Sequence, residues 1–166
     1  MTFFRDTWII FLRSMRLSLR QPLWVLIGLL QPILYLTLFG PLLQNIAATS
    51  GFQGDAWQVF VPGLLVQLGI FGGLFVGFGI IAEIRSGVID RQLVTPAARA
   101  SIVAGRTLRD VVVITVQGIV LVAAAFALGL RVPVAALLIA LVLAALLGAA
   151  FSFISNAIGI ATKSED

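Results

Sequence analysis

From Gln21 to Gly54 the chain carries no charged residue, and within that run Leu23–Leu43 is apolar almost throughout. At about 1.5 Å rise per residue, a helix of that length crosses a hydrocarbon core of about 30 Å. Such a surface has no stable place in water, so the run commits the chain to a bilayer, where only helices and closed barrels satisfy their own backbone groups. It predicts a first span over 23–43, kinked at Pro32, which follows Gln31. A cleaved signal peptide has a shorter apolar region and an A-x-A cleavage site, and neither fits here.

The rest of the chain repeats the pattern. Phe60–Ala82 predicts a second span, Val111–Leu130 a third and Val134–Ala161 a fourth. The fourth is longer than a bilayer needs, so it must tilt or run past one face. Asn45–Gln58, polar with Asp55 as its one charge, predicts an external loop, and Arg131 with Pro133 a very short turn. Composition agrees, with 60% apolar and 11% charged residues and a mean hydropathy of +1.12, against about 25% charge in soluble domains. The expected fold is a single all-α transmembrane domain over 1–166.

Residues 3–20, FFRDTWIIFLRSMRLSLR, precede the first span. At 100° per residue, Arg5, Asp6, Arg13, Arg16 and Arg20 share one side of a helix, and Phe4, Trp8, Phe11, Met15 and Leu19 the other. Ile9 and Leu17 fall close to the charged side. This predicts an amphipathic helix in the membrane interface; the plainer alternative is a positively charged flank to the first span. Arginine and lysine are strongly one-sided. Arg5, Arg13, Arg16, Arg20, Arg85, Arg91, Arg99, Arg106, Arg109 and Lys163 lie on one face of the membrane, and Arg131 alone on the other. The positive-inside rule then puts both termini and the stretch Glu83–Asp110 in the cytoplasm.

Several chemistries are excluded. With no cysteine or histidine, the chain lacks disulfides, thiol chemistry and the usual zinc, haem and iron–sulfur ligands. Its seven acidic residues are scattered, so no metal site and no cofactor are expected. The +4 charge arises from arginines beside spans, which argues against nucleic acid as a partner. No predicted span holds a charge at its middle, where each would cost about 2.5–3.5 kcal/mol, unlike proton-coupled transporters, voltage sensors and ion pumps. Nothing matches G-x-x-x-x-G-K-[ST], so any ATP is bound by another chain. No nucleophile–base or paired-carboxylate arrangement is present, so no catalytic residue is expected.

Among uncharged polar residues, Gln31, Tyr35, Gln67, Thr115, Gln117, Ser152, Ser155 and Asn156 suit inter-helix hydrogen bonds better than a substrate path. Gly69, Gly73 and Gly77, four residues apart, form a ridge for close helix packing. Glu83–Asp110 is the main polar interruption. Gly87 breaks the chain after the second span; Thr95 as N-cap and Pro96 as first helical residue start a helix towards the third. Between them, Val88–Val94 predicts a short helix presenting Asp90, Arg91 and the apolar pair Ile89 and Leu93. Such a segment either docks on a partner or hugs the membrane, its arginines on lipid phosphates.

The stretch carries the pattern E-x-x-x-G-x-x-[DE]-R-x-x-x-[ST]-P-x-x-R, followed by G-[KR], in Glu83, Gly87, Asp90, Arg91, Thr95, Pro96, Arg99, Gly105 and Arg106. With FVPGLL at 60–65 and the N-terminal amphipathic helix, it resembles permease subunits of the type-two ATP-binding cassette exporters, in particular the daunorubicin-resistance-like drug and lipid exporters. The resemblance covers the whole chain in order. It implies a permease homodimer in a bacterial inner membrane, exporting hydrophobic small molecules and powered by a separate ABC ATPase subunit. Polysaccharide and glycolipid exporters share the family pattern. By position, Glu83, Arg85, Gly87, Asp90, Arg91, Leu93, Thr95, Pro96 and Arg99 would form or shape the ATPase contact. The family typically has six spans, so four spans ending in ATKSED imply an incomplete version of that domain. The contrasting expectation is a four-helix accessory or assembly protein with no transport of its own.

Overall fold

A computed structural model describes residues 3–20, 22–49, 57–76, 99–129 and 132–161, and among them the secondary structure is helical throughout. In chain order the helices are α1 (Phe3–Arg20), α2 (Pro22–Thr49), α3 (Trp57–Leu74), α4 (Arg99–Ala127) and α5 (Val134–Ala161). The last four are long and apolar enough to cross a membrane. The protein is therefore an all-α, multi-pass membrane protein with a further helix ahead of its spans.

One boundary differs from the sequence reading, and the helix expected to lead into the third span is present from Arg99 onward. α2 continues past Leu43 to Thr49, into the segment expected to be a loop. The polar residues there serve the helix itself: the Thr49 hydroxyl donates to the Asn45 carbonyl at 2.5 Å. α4 is already under way at Arg99, so the final residues of the charged stretch form the first turns of a 29-residue helix. At its other end α4 closes at Gly129, whose φ of 103° is a left-handed geometry that glycine adopts without strain.

α3 and α5 make the closest contact. A Cβ built on Gly69 would lie 2.5 Å from the Ala144 carbonyl oxygen, and one on Gly73 would lie 2.7 Å from that of Gly148. These two glycines therefore bring backbone against backbone, as small residues do where lipid removes the hydrophobic drive for association. On α5 the matching face is Ala140, Ala144, Gly148 and Ser152, four residues apart and all buried. α4 fills the remaining notch: Ile114 packs where side chains on Gly72 and Gly148 would otherwise project.

The apolar core occupies the half of the bundle away from α1, around Leu36, Trp57, Val61, Leu65, Leu121, Ala125 and Leu137. α2 joins it through a narrow seam of Leu29, Pro32, Leu36 and Gly40, leaving Leu26, Leu30, Leu34, Leu38 and Leu42 exposed to surrounding lipid. The seam ends in a socket. Trp57 is 1% exposed, and a Cβ on Gly40 would fall 2.0 Å from its ring carbon Cη2.

Gly73→Val forces α3 off α5, at about 1–3 kcal/mol for overpacking. Gly63→Ala introduces a methyl where no heavy atom lies within 4 Å and should leave stability unchanged. Thermal unfolding of the two purified variants in one detergent checks this difference.

Candidate functional site

At the opposite end from the Trp57 socket the bundle interior turns polar. Asp110 on α4 is 3% exposed and Ser152 and Asn156 on α5 are fully buried. Residues 152 and 156 stand one helical turn apart on one face of α5, and that face meets Asp110. The Ser152 hydroxyl donates to Asp110 Oδ2 at 2.5 Å. The Asn156 amide donates to Ser152 Oγ at 3.0 Å and makes a longer contact of 3.4 Å to the same carboxylate oxygen.

The other carboxylate oxygen, Oδ1, takes Arg109 Nε at 2.7 Å. Arg106, 4% exposed, lies one turn earlier on α4 and acts on the Asp110 carboxylate through its charge. A carboxylate enclosed in this way is tolerable because two neutral donors and two nearby positive charges replace the water it has lost. The cluster's one hydroxyl set against a carboxylate, Ser152 on Asp110, is fully buried between two helices. Among the described residues no group of three His, Cys, Asp or Glu side chains could hold a metal ion. The cluster's chemistry is that of a clamp joining α4 to α5.

Two further contacts complete this end. Ser155, beside the clamp on α5, donates its hydroxyl to the Leu74 carbonyl at the end of α3, at 2.6 Å. α1 lies against α4 where a Cβ on Gly105 would be 2.8 Å from the Thr7 carbonyl oxygen and 2.9 Å from Ile10 Cβ. The glycine–arginine pair at 105–106 thus combines a flat seat for α1 with a buried cation. Thr7, Ile10, Ser14 and Ser18 form the half-buried seam of α1, with Phe4, Trp8 and Leu19 exposed on its flank. The helix expected to lie in the interface is therefore also docked on the bundle. Its arginines Arg13, Arg16 and Arg20 point away from that seam, lining an open groove of about 370 Å³ with Ile9, Leu12 and Leu17.

Of the residues expected to couple to an ATPase, Glu83, Arg85, Gly87, Asp90, Arg91, Leu93, Thr95 and Pro96 lie outside the described residues, as does Gly77 of the glycine ridge. Arg99 is the first residue of α4. Asp110 was legible only as the end of the charged stretch. The available signal was Ser152 and Asn156, two polar residues one turn apart in an apolar helix, but that spacing names no partner. Thr115 departs from the inter-helix expectation, since its hydroxyl donates to the Val111 carbonyl of its own helix at 2.7 Å.

A helical membrane bundle, docked on by an amphipathic helix and interrupted by one charged connection, defines a class of multi-pass membrane domain. The family model of the ABC-2 type transporters matches residues 5–166, and the chain belongs to that family. A putative transport permease, ycf38 of Cyanophora paradoxa, is 36% identical over 78 residues, which is 46% of this chain and 27% of that protein. The matched part therefore spans about a quarter of the relative's length. No solved structure matches the chain.

Removing the Asp110 carboxylate takes from Arg109 the counter-charge it meets at 2.7 Å, and from Ser152 its acceptor. Asp110→Ala should cost about 1.5–3 kcal/mol, the range for hydrogen bonds to a charged group. Ser152→Ala removes one inter-helix hydrogen bond and should cost about 0.6–1.7 kcal/mol. Equilibrium unfolding in mixed micelles should reproduce that order, and equal losses would contradict the clamp.

Proposed function

We propose that this chain is the membrane permease subunit of an ATP-driven exporter of the daunorubicin-resistance-like group, moving a hydrophobic, drug-like or lipid molecule out of the cell. The observation that carries the reading is the ABC-2 family match from residue 5 to residue 166, which takes in the charged connection as well as the spans. ATP chemistry belongs to a separate ABC ATPase subunit, because the chain has no phosphate-binding loop. That subunit docks on the 83–110 connection, where Asp90, Arg91, Leu93, Thr95, Pro96 and Arg99 supply or shape the contact. Two permease copies enclose the pathway between them, and closure of the ATPase on ATP alternates its access.

The apolar character of the bundle favours a hydrophobic cargo over a glycan. Its mid-membrane surfaces offer leucine, isoleucine and phenylalanine, with few hydroxyl or amide groups to replace sugar hydration. α1, with aromatic residues on its flank and arginines facing away from the bundle, suits a surface from which amphiphilic molecules enter.

Charge reversal at Asp90 or Arg91 should abolish export while leaving membrane insertion and the amount of protein intact. Efflux of a fluorescent cationic drug from cells, read beside an immunoblot of the membrane fraction, checks both halves. Co-purification with an ATPase whose turnover rises on adding drug supports the permease reading. Stable association without any turnover supports the accessory role instead.

A further inference from the structure

The charged connection leaves α3 and returns as α4, so a force applied to it enters the membrane domain through two roots. Both roots are held by one short piece of α5. The α3 root is the Leu74 carbonyl, at the last residue of α3; it accepts from Ser155 at 2.6 Å. The α4 root is Asp110, which accepts from Ser152 at 2.5 Å, with Asn156 braced on Ser152 at 3.0 Å. Between these bonds the α3 backbone rests directly on the same segment: a Cβ on Gly73 would meet Phe151 Cβ at 2.8 Å and the Ser152 amide nitrogen at 2.9 Å.

Position on α5 decides how the bonds work together. Ser152, Ser155 and Asn156 stand at i, i+3 and i+4, so they form one contiguous patch on adjacent sides of the helix. Ser155 faces α3, Ser152 and Asn156 face α4, and the helix between them is rigid on the scale of one turn. A displacement of either root must therefore move this patch or break one of these hydrogen bonds, of which the one to Asp110 is buried away from water.

We propose that Ser152, Ser155 and Asn156 are positioning residues that fix the two roots of the charged connection relative to each other, and so deliver its movement to α5. The proposal rests on reading 83–110 as the ATPase-docking element. Its structural core, that the two roots are energetically linked through α5, does not need the ATPase. The linkage is reciprocal, as any coupling between two sites is: loosening the α3 root loosens α4, and loosening the α4 root loosens α3.

The test is amide hydrogen exchange on the full chain in lipid nanodiscs, comparing wild type with Ser155→Ala, Asp110→Asn and Ser152→Ala. Ser155→Ala should speed exchange across residues 101–110, and Asp110→Asn should speed it across residues 74–76. Each effect should be about three- to twentyfold, the span expected for loss of one inter-helix hydrogen bond in a membrane. Ser155→Thr keeps the hydroxyl and should restore wild-type rates at both roots, which a packing role alone would not produce. Asp110→Asn removes the charge but leaves an amide oxygen able to accept from Ser152, so Ser152→Ala, which removes the donor outright with the Arg109 pair intact, is the deciding variant at the α4 root. Exchange that rises only at the root nearest each substitution overturns the proposal. A second arm adds the ATPase with a non-hydrolysable ATP analogue. Protection changes at residues 151–156 in wild type, lost in Ser155→Ala while the ATPase still co-purifies, support delivery to α5. Absence of ATPase binding to wild type overturns the docking reading, and with it the delivery of ATPase-driven movement, while the exchange results still decide the linkage.

Discussion

Backbone contact between α3 and α5 is the constraint from which the other packing follows. Inside a bilayer apolar side chains gain little by leaving lipid for protein, so helices associate where their backbones approach closely enough for dense van der Waals contact and short hydrogen bonds. Gly69 and Gly73 create that approach against Ala144 and Gly148. Once it is set, the Leu74 carbonyl comes within reach of Ser155, and α4 can lay Ile114 into the notch left between Gly72 and Gly148. A bulkier α3 face would part the helices and lose the polar contacts along with the packing.

The bundle is also divided along its length. Away from α1 it is held by Trp57, Leu65, Leu121 and their neighbours, a contact set with little directional preference. Near α1 it is held by Asp110, Ser152 and Asn156, whose hydrogen bonds have fixed partners and angles. Directional bonds specify one arrangement and resist small displacements, whereas apolar contacts permit gradual repacking. The directional end is the one adjoining the charged connection and the docked α1. Rigidity is thus placed where a mechanical input would arrive, and adaptability at the far end.

The spans were legible in the sequence because length and hydropathy follow directly from the thickness of the bilayer. Gly69 and Gly73 were legible as a face, but a four-residue spacing says nothing about which helix receives it. α5 stands out in the sequence for its alanines, whereas its contact surface also needs Gly148 and Ser152. The Asp110 clamp was less accessible still: a carboxylate at the edge of a charged stretch reads as solvated until another helix is known to cover it. Arg106 illustrates the same difficulty, since a motif position gives its identity and not its burial. For the coupling residues from Glu83 to Pro96, the family pattern in the sequence remains the source of the assignment.

Trp57 bears on how α2 can move. An edge of its ring sits against Gly40 of α2, while the rest of that helix's attachment is a thin seam. Sliding α2 along its axis would bring a side chain to the place where the ring leaves no room even for a Cβ. Swinging it about Gly40 breaks no such contact. The pair therefore acts as a pivot pin: it suppresses piston-like travel of the first span and leaves tilting as its soft direction.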